Sequence, residues 1–328
     1  MINQRLFDQY NIDTKKNLMI DRICGRPWDT LLIDTMGSCF VCECTSWLPQ
    51  SIGNIQTKSI DDILKSDTRT LLQKSISDSS YRYCNNSQCS YIKSKRIYDV
   101  RQTFSLRLAI DDSCNLSCPS CRTHKIFISK GTALTRKKKW VDKIVKWISN
   151  QEFQIHITIG SDGDPFASLV YRYFMQQAEK HKWQHVTYDF QTNGLLVKKM
   201  YKRHKYIFDR TKVLNISVDG ATRSTYEELR RGAKWDQLAS TFHFLSTTNR
   251  KFKVHLHMVV QKSNWKEMMA LNQICKSFNF ERIYFNLIQD WGTGLDYKEQ
   301  ISFTDTDEFK NIVTNLQDDK CARLWQLS

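Results

Sequence analysis

The segment Asp112-Ser-Cys-Asn-Leu-Ser-Cys-Pro-Ser-Cys sets three thiols, Cys114, Cys118 and Cys121, at C-x3-C-x2-C spacing. Three thiolates on so short a loop suit three corners of a cubane [4Fe–4S] cluster and leave its fourth iron open to a ligand. A structural zinc site takes four ligands in paired form, and no fourth Cys or suitably spaced His follows promptly, although His124 is close. Zinc is the competing reading, and unligated core thiols the lesser one. Six more cysteines precede residue 90: Cys24, Cys39, Cys42, Cys44, Cys84 and Cys89. Cys275 and Cys321 stand alone and read as inert buried thiols.

The chain that carries these thiols has 328 residues, 41% of them hydrophobic and 25% charged, long enough to bury one large core or two smaller ones. Only 4 Pro and 11 Gly exclude collagen-like and low-complexity material. The N-terminus Met-Ile-Asn-Gln-Arg leads into polar sequence and no apolar run reaches membrane-spanning length, so a cytoplasmic protein without a membrane partner is expected. In that reducing compartment, closely spaced thiols are metal ligands or catalytic groups before they are disulfides.

Subtracting 34 acidic from 49 basic residues gives +15. Residues 1–100 hold 13 Lys/Arg against 11 Asp/Glu, so nearly all of the surplus lies beyond them. Arg122–Lys146 has nine basic residues and one acid, and Lys198–Lys212 has seven and one. A solvated helix face is the ordinary reading of each, and together they favour an anionic partner or substrate.

From about residue 104, short β-branched or aromatic runs alternate with longer amphipathic stretches, the pattern of repeated βα units on a parallel sheet. Six strands are expected, at Ser105–Ile110, Gln154–Ile159, Val186–Gln191, Val213–Val218, Lys253–Val260 and Arg282–Ile288. Helical patterns at Lys137–Ser149, Ser168–Lys182, Val197–His204, Ser224–Arg230, Trp235–Thr247 and Trp265–Phe278 lie between or after them. Six units make a partial (β/α)6 barrel, whose strand C-terminal ends converge on one mouth. The first hundred residues read differently, with a short strand at Thr30–Asp34, a turn at Met36–Gly37 and helical sequence near Ile60–Ser75. A boundary near Tyr98 divides a small cysteine-rich domain (1–98) from the barrel (99–300), and 301–328 read as a C-terminal helical tail.

At this point the sequence resembles the radical S-adenosylmethionine (SAM) enzymes, whose C-x3-C-x2-C loop follows the first strand of a partial barrel. The resemblance implies that Cys114, Cys118 and Cys121 hold a [4Fe–4S] cluster whose open iron chelates SAM, and that one-electron reduction releases a 5'-deoxyadenosyl radical. Ser120 departs from the pattern, since many members carry an aromatic residue there against the adenine. Gly160-Ser-Asp-Gly163-Asp164-Pro resembles the family's Gly-Gly-Glu-Pro motif. A Gly-rich strand end exposes backbone carbonyls to the SAM ammonium, and Asp164 would add charge. Gln191-Thr-Asn193-Gly resembles a Thr-Asn-Gly of relatives, and Ser217-Val-Asp219-Gly ends the fourth strand. Alternation puts Ser217 and Asp219 on one face, toward the ribose or methionyl end, with a helix N-cap the competing role for Asp219. Ala221 to Gly232 resembles the segment whose arginine pairs with the SAM carboxylate, which points to Arg230. His255 and His257 read as buried histidines without a catalytic role, Gln261 is at most a substrate contact, and no general acid or base is assigned.

Cys24, Gly37, Cys42 and the Cys84–Cys89 pair look like a SPASM or shortened twitch domain, the auxiliary-cluster module of many radical SAM maturases. That resemblance implies one auxiliary [4Fe–4S] cluster on Cys24, Cys42, Cys84 and Cys89, with Cys39 or Cys44 as substitutes for Cys42. Zinc on the same four thiolates is the competing metal. The module usually follows the barrel, whereas here it precedes it. The expected function is therefore a radical SAM enzyme that abstracts hydrogen from a peptide, a sugar or another small metabolite, with a lean toward an anionic one, fed by a reductant such as flavodoxin or ferredoxin. The alternative is a zinc-stabilised nucleic-acid-binding protein without catalysis, which lacks a recognisable binding module.

Overall fold

The computed structural model describes residues 24–42, 44–85, 89, 92, 102–160 and 162–325. They fall into two compact units. The first gathers Met1–Asp111, Ser129–Ser161 and Leu169–Tyr188, and the second Asp112–Ile128, Asp162–Ser168 and Asp189–Ser328.

In the first unit, the short helix α1 (Arg26–Asp29), with Pro27 in its first turn, leads into β1 (Thr30–Ile33), every residue of which is buried. The chain then reverses into β2 (Ser38–Phe40) and β3 (Gly53–Asn54), an antiparallel ladder on β1. The reversal is built by Asp34, whose carboxylate accepts from the amides of Met36 and Ser38 at 2.9 and 2.8 Å. Gly37 follows at φ +79°, and a Cβ there would meet the Trp140 ring and Asn54 Oδ1 at 3.0 Å, so the hairpin turn admits no side chain. The helical sequence near Ile60–Ser75 is two helices, α2 (Ile60–Leu64) and α3 (Asp67–Ser77), because Ser59 and Ser66 each cap a new N-terminus.

β1 pairs in parallel with β4 (Phe104–Leu108), Thr30 opposite Ser105, and β4 pairs in parallel with β5 (Ile155–Ile159). The order in this unit is β5-β4-β1-β2-β3. The cysteine-rich segment is therefore stitched into the sheet rather than folded apart as a separate 1–98 domain, because the backbone edge of β4 is satisfied by β1. Tyr98, the expected boundary, lies outside the described residues. Helix α4 (Thr132–Ser149) buries Trp140, Val141, Ile144, Val145 and Ile148 at helical spacing, beside α5 (Leu169–His181).

Strand β6 (Val186–Thr192) begins in the first unit and ends in the second. There β7 (Thr211–Ser217), β8 (Lys253–Val260), β9 (Arg282–Leu287) and β10 (Ala322–Trp325) follow in the order β10-β9-β8-β7, each pair parallel. One face of these strands is fully buried through Leu214, Ile216, Leu256, Met258, Ile283 and Phe285. The other carries Ser217, His257 and Tyr284, which stand level with one another in register and are half-buried. The helices are α6 (Val197–Arg203), α7 (Lys205–Asp209), α8 (Arg223–Leu229), α9 (Trp235–Thr247), α10 (Met268–Ser277, after a 3-10 turn at Trp265–Glu267), α11 (Tyr297–Gln300) and α12 (Asp307–Gln317).

Two expectations are corrected here. The C-terminal segment is not a purely helical tail: after α12 it returns as β10, which pairs with β9, Ala322 opposite Ile283. An Ala-Arg-Leu-Trp run is too short for its period to be read, and the parallel partner decides it. Cys275 and Cys321 do not stand alone either. Their sulfurs are 3.4 Å apart, brought together by α10 and the turn entering β10.

The C-terminal end of β4, which launches the three-cysteine loop, is held from two sides. The buried Lys137 ammonium of α4 donates to the carbonyls of Thr35 and Ile110 and lies 3.8 Å from the buried Asp111 carboxylate. Tyr171 Oη of α5 donates to the Leu108 carbonyl at 3.0 Å and accepts from the Asp111 amide at 3.2 Å. Lys137→Met keeps the stem but removes a buried ammonium from the Asp111 carboxylate and from two carbonyls, so it should cost about 3 kcal/mol in denaturant unfolding. A loss within error would show that the ammonium does not hold this strand end.

Candidate cluster and cofactor site

The three-cysteine loop, residues 112–128, is folded by its own polar groups. Cys114 N donates to the Ile126 carbonyl at 2.9 Å, Ile128 N to Ser113 Oγ at 2.9 Å, and Leu116 N to Cys114 Sγ at 3.4 Å. Arg122 closes it: its guanidinium donates to Cys121 Sγ at 3.4 Å, to the Asp112 carbonyl at 2.7 Å and to the Asp162 carbonyl. Cys118 is buried, Cys114 half-buried and Cys121 exposed. Burial pushes the Cys114 thiol up to about 11, with Asp164 adding to it, and raises Cys118 as well. Thiols in that condition stay protonated unless a cationic partner takes them as thiolates.

Asp164 has a different role from the one expected. Its carboxylate is buried and fully engaged. Oδ1 accepts from the amides of Phe166 and Ala167, each at 3.0 Å, and Oδ2 accepts from Thr192 Oγ1 at 2.7 Å and the Asn193 amide at 2.8 Å. Four donors use the acceptor capacity of a carboxylate, so none is left for a ligand's ammonium. The Asp164 amide also donates to the Ser113 carbonyl at 3.0 Å. Asp164 is thus a positioning residue that joins the end of β6 to the cysteine loop, with half-buried Gly163 in the turn before it. Asn193 continues the link by donating to Asn115 Oδ1 at 2.8 Å and lying 3.8 Å from Cys114 Sγ.

Arg230, expected to pair with the SAM carboxylate, lies beside Cys118. Its Nη1 is 3.9 Å from Cys118 Sγ, and its Nε pairs with Asp219 Oδ2 at 2.8 Å. Burial pulls the guanidinium down, but Asp219 and Cys118 outweigh it and hold the charge on. Asp219 Oδ1 accepts from the Val259 amide at 2.9 Å, so this carboxylate is not a helix cap. Thr222 caps α8, and Glu267 accepts from the Ala221 and Thr222 amides and from the Thr222 and Thr225 hydroxyls. Ser217 accepts from Gln191 Nε2 at 2.7 Å, on the half-buried face. His257 stacks on Tyr284 at 4.7 Å, and burial first, then His255 and Arg230, pushes it down to about 4, which leaves it neutral. Gln261 is buried, its amide bonded to Asn264 Oδ1 within its own turn.

The N-terminal thiols separate into two kinds. Cys24 and Cys84 pack against the buried pair Trp28 and Ile76. Burial pushes Cys24, Cys42 and Cys84 each up to about 12, and after burial Cys24 feels Cys84 and Cys89, while Cys84 feels Cys42 and Cys89. These four share one electrostatic neighbourhood. Cys39 does not belong to it. Its sulfur points to the Gly37 carbonyl at 3.7 Å and its charged neighbour is Asp34. Cys44 is half-buried beside Cys42. The buried Arg26 cation lowers both Cys24 and Cys42, a charge that suits an anionic thiolate cluster. Arg69 fixes this corner, donating to the carbonyls of Pro27, Trp28 and Leu64 at 2.9, 3.0 and 2.6 Å.

Among the described residues no three Cys, His, Asp or Glu side chains already form a metal cage. The setting of the two thiol sets fits the expected clusters: the sulfurs lie beside the cation Arg26 in one case and beside Arg122 and Arg230 in the other. Sequence reasoning missed Arg26, Arg69, Asn115, Arg122 and Glu267. Arg26, Asn115 and Arg122 carried a readable signal, standing within two residues of Cys24, Cys114 and Cys121; Arg69 and Glu267 act through contacts distant in the chain.

Residues 24–90 match the family model of SPASM, described as an iron–sulfur cluster-binding domain; the match starts at Cys24 and ends one residue past Cys89. The structure of Streptococcus suis SuiB bound to precursor peptide SuiA is similar over 80% of this chain and 54% of SuiB, with TM-score 0.50 and 14% identity. Residues 24–90 thus carry the SPASM match, and the chain shares its fold with SuiB. The structure of anSMEcpe with bound AdoMet is also similar, at TM-score 0.48 and 16% identity, over 67% of this chain and 60% of that one. The chain thus spans about half of SuiB. No curated protein sequence matches it. No described helix is long and apolar enough to cross a membrane.

Asp164→Ala strands four donors in the buried joint behind the cysteine loop. It should cost roughly 3 kcal/mol or more in anaerobic urea unfolding, and Asp164→Asn, which keeps the shape and one acceptor oxygen, roughly half of that. Equal losses would show that shape, not acceptance, is what Asp164 supplies.

Proposed function

We propose that this chain is a radical SAM enzyme. The observation that carries the reading is the juxtaposition of Cys114, Cys118 and Cys121 with Arg122, Asn193 and Arg230 at the loop after β4, on the fold shared with SuiB. Cys114, Cys118 and Cys121 would hold a [4Fe–4S] cluster with one iron open to SAM, and that group would supply one-electron reductive cleavage of SAM and, through it, hydrogen abstraction from the substrate. The chain's part is to hold and shield. Arg122 clamps the loop, and Asp164 and Asn193 fix its back. Arg230, kept charged by Asp219, offers its remaining N–H groups to the SAM carboxylate. Ser217, beside Gln191, lies on the face that meets the ribose or methionyl end.

In the SPASM domain, Cys24, Cys42, Cys84 and Cys89 hold one auxiliary cluster, with Arg26 as its counter-charge. The residue ranges 1–98 and 99–300 stand as the functional division between auxiliary module and barrel, although both share a sheet. Of the substrate classes compatible with hydrogen abstraction, a peptide leads, because SuiB is paired with a precursor peptide in its structure; a sugar or other small metabolite is the alternative. An external one-electron donor of the flavodoxin or ferredoxin kind completes the reaction.

The test is anaerobic reconstitution with iron and sulfide, followed by SAM and a strong reductant. Brown protein that forms 5'-deoxyadenosine, with formation abolished in Cys118→Ala, is the expected result. Colourless protein that retains only zinc after reconstitution would overturn the reading in favour of a zinc-stabilised binding protein. Cys84→Ala should lose about four iron atoms per chain, one cluster's worth, while still cleaving some SAM. If iron is unchanged, the auxiliary ligand set is wrong.

A further inference from the structure

One basic feature of the chain has no part in the cluster chemistry. Of the nine cations between Arg122 and Lys146, Arg122 clamps the cysteine loop and Lys137 anchors β4, but Arg136, Lys139 and Lys143 line a cavity of about 580 Å³ in the first unit. The cavity runs along the N-terminal half of α4 and is completed by Gln56, Thr132 and Thr135. Its size suits a short peptide stretch or a small molecule rather than a single ion.

The charges in it are unmatched. No acidic residue lines the cavity. The one acid of α4, Asp142, accepts from Tyr173 Oη at 2.7 Å. Lys143 donates to the carbonyls of Ile55, Gln56 and Lys58 at 2.6, 3.2 and 3.2 Å, so it builds the wall but meets no carboxylate. Arg136 and Lys139 are exposed and form no ion pair among the described residues. Cations at 136, 139 and 143 repel along one helix face, and Arg136 opposes the positive end of the helix dipole. The helix starts at Gly131 without a side-chain cap. The repulsion among these cations weakens α4 by itself, and an anion in the cavity relieves it.

The wall also sorts among anions. Trp140 borders the cavity but is 2% exposed, with Arg136 at 5.7 Å and Lys137 at 5.4 Å over its ring, so no aromatic face is open for a base to stack on. Two hydroxyls and a carboxamide, interspersed with the cations, supply the neutral donors and acceptors that a peptide backbone uses between its charged side chains.

We propose that this cavity docks an acidic peptide segment, its Asp or Glu carboxylates meeting Arg136 and Lys139 and its backbone meeting Gln56, Thr132 and Thr135. The inference extends the reading of a peptide substrate by giving it a recognition site. It is tested by binding alone, so failure of SAM cleavage and failure of docking are separate results.

The experiment is fluorescence anisotropy of a labelled Glu/Asp-rich heptapeptide with the full reconstituted chain, beside its Gln/Asn counterpart. The acidic peptide should bind saturably, its counterpart at least about tenfold more weakly, and affinity should fall as salt rises. Arg136→Gln with Lys139→Gln should weaken binding about tenfold or more, while Lys298→Gln with Lys310→Gln, the same charge change at exposed lysines outside the cavity, should leave it unchanged. Circular dichroism of both variants checks that α4 persists. Equal loss in the two double variants, or preferential binding of inorganic phosphate or single-stranded DNA over the peptide, overturns the proposal.

Discussion

The Asp164 carboxylate is the joint on which the thiol site depends. One buried anion receives four hydrogen bonds from two segments, the turn at Phe166 and Ala167 and the end of β6 at Thr192 and Asn193, and its own amide binds the cysteine loop at Ser113. Burial drives this carboxyl's pKa up while the hydrogen bonds pull it back, so the group is costly to bury and stays only where all four donors converge. The loop that bears Cys114, Cys118 and Cys121 therefore has a fixed back, and its sulfurs meet Leu116 N, Arg230 and Arg122.

Buried and half-buried cations repeat the same device. Lys137, Arg122, Arg69 and Arg230 each spend donors on backbone carbonyls, thiols or a carboxylate at a strand end or loop. Part of the +15 is thus structural: it satisfies carbonyls that irregular loops leave unpaired. This divides the excess that looked uniform in composition. Charges inside hold the loops, and those along the cavity beside α4 are free to act outward.

Much of the fold was legible because parallel strands buried on one face and amphipathic helices leave strong, local periods. β8 over Lys253–Val260 and α9 over Trp235–Thr247 stand where the pattern puts them. What escaped depends on partners far along the chain. β10 is a strand because β9 offers an open edge, and the cysteine-rich segment joins the sheet because β1 matches β4 in register. At the site, residue types were readable and roles less so. Asp164 sat in a ligand-like motif, yet the donors that occupy it come from residues 166–167 and 192–193, the second pair far along the chain. Cys39 and Cys42 are indistinguishable as letters, and only the strand direction of β2 turns Cys39 away.

The sulfurs of Cys275 and Cys321, 3.4 Å apart, carry a practical meaning for any work on the metal content. Transfer of two electrons and two protons from this pair to glutathione disulfide yields two glutathiones and a covalent tie between α10 and the entry to β10. Preparations exposed to glutathione disulfide would then show two fewer alkylatable cysteines than the eleven in the sequence for a reason unrelated to either cluster. Such a shortfall, taken at face value, would be mistaken for bound iron.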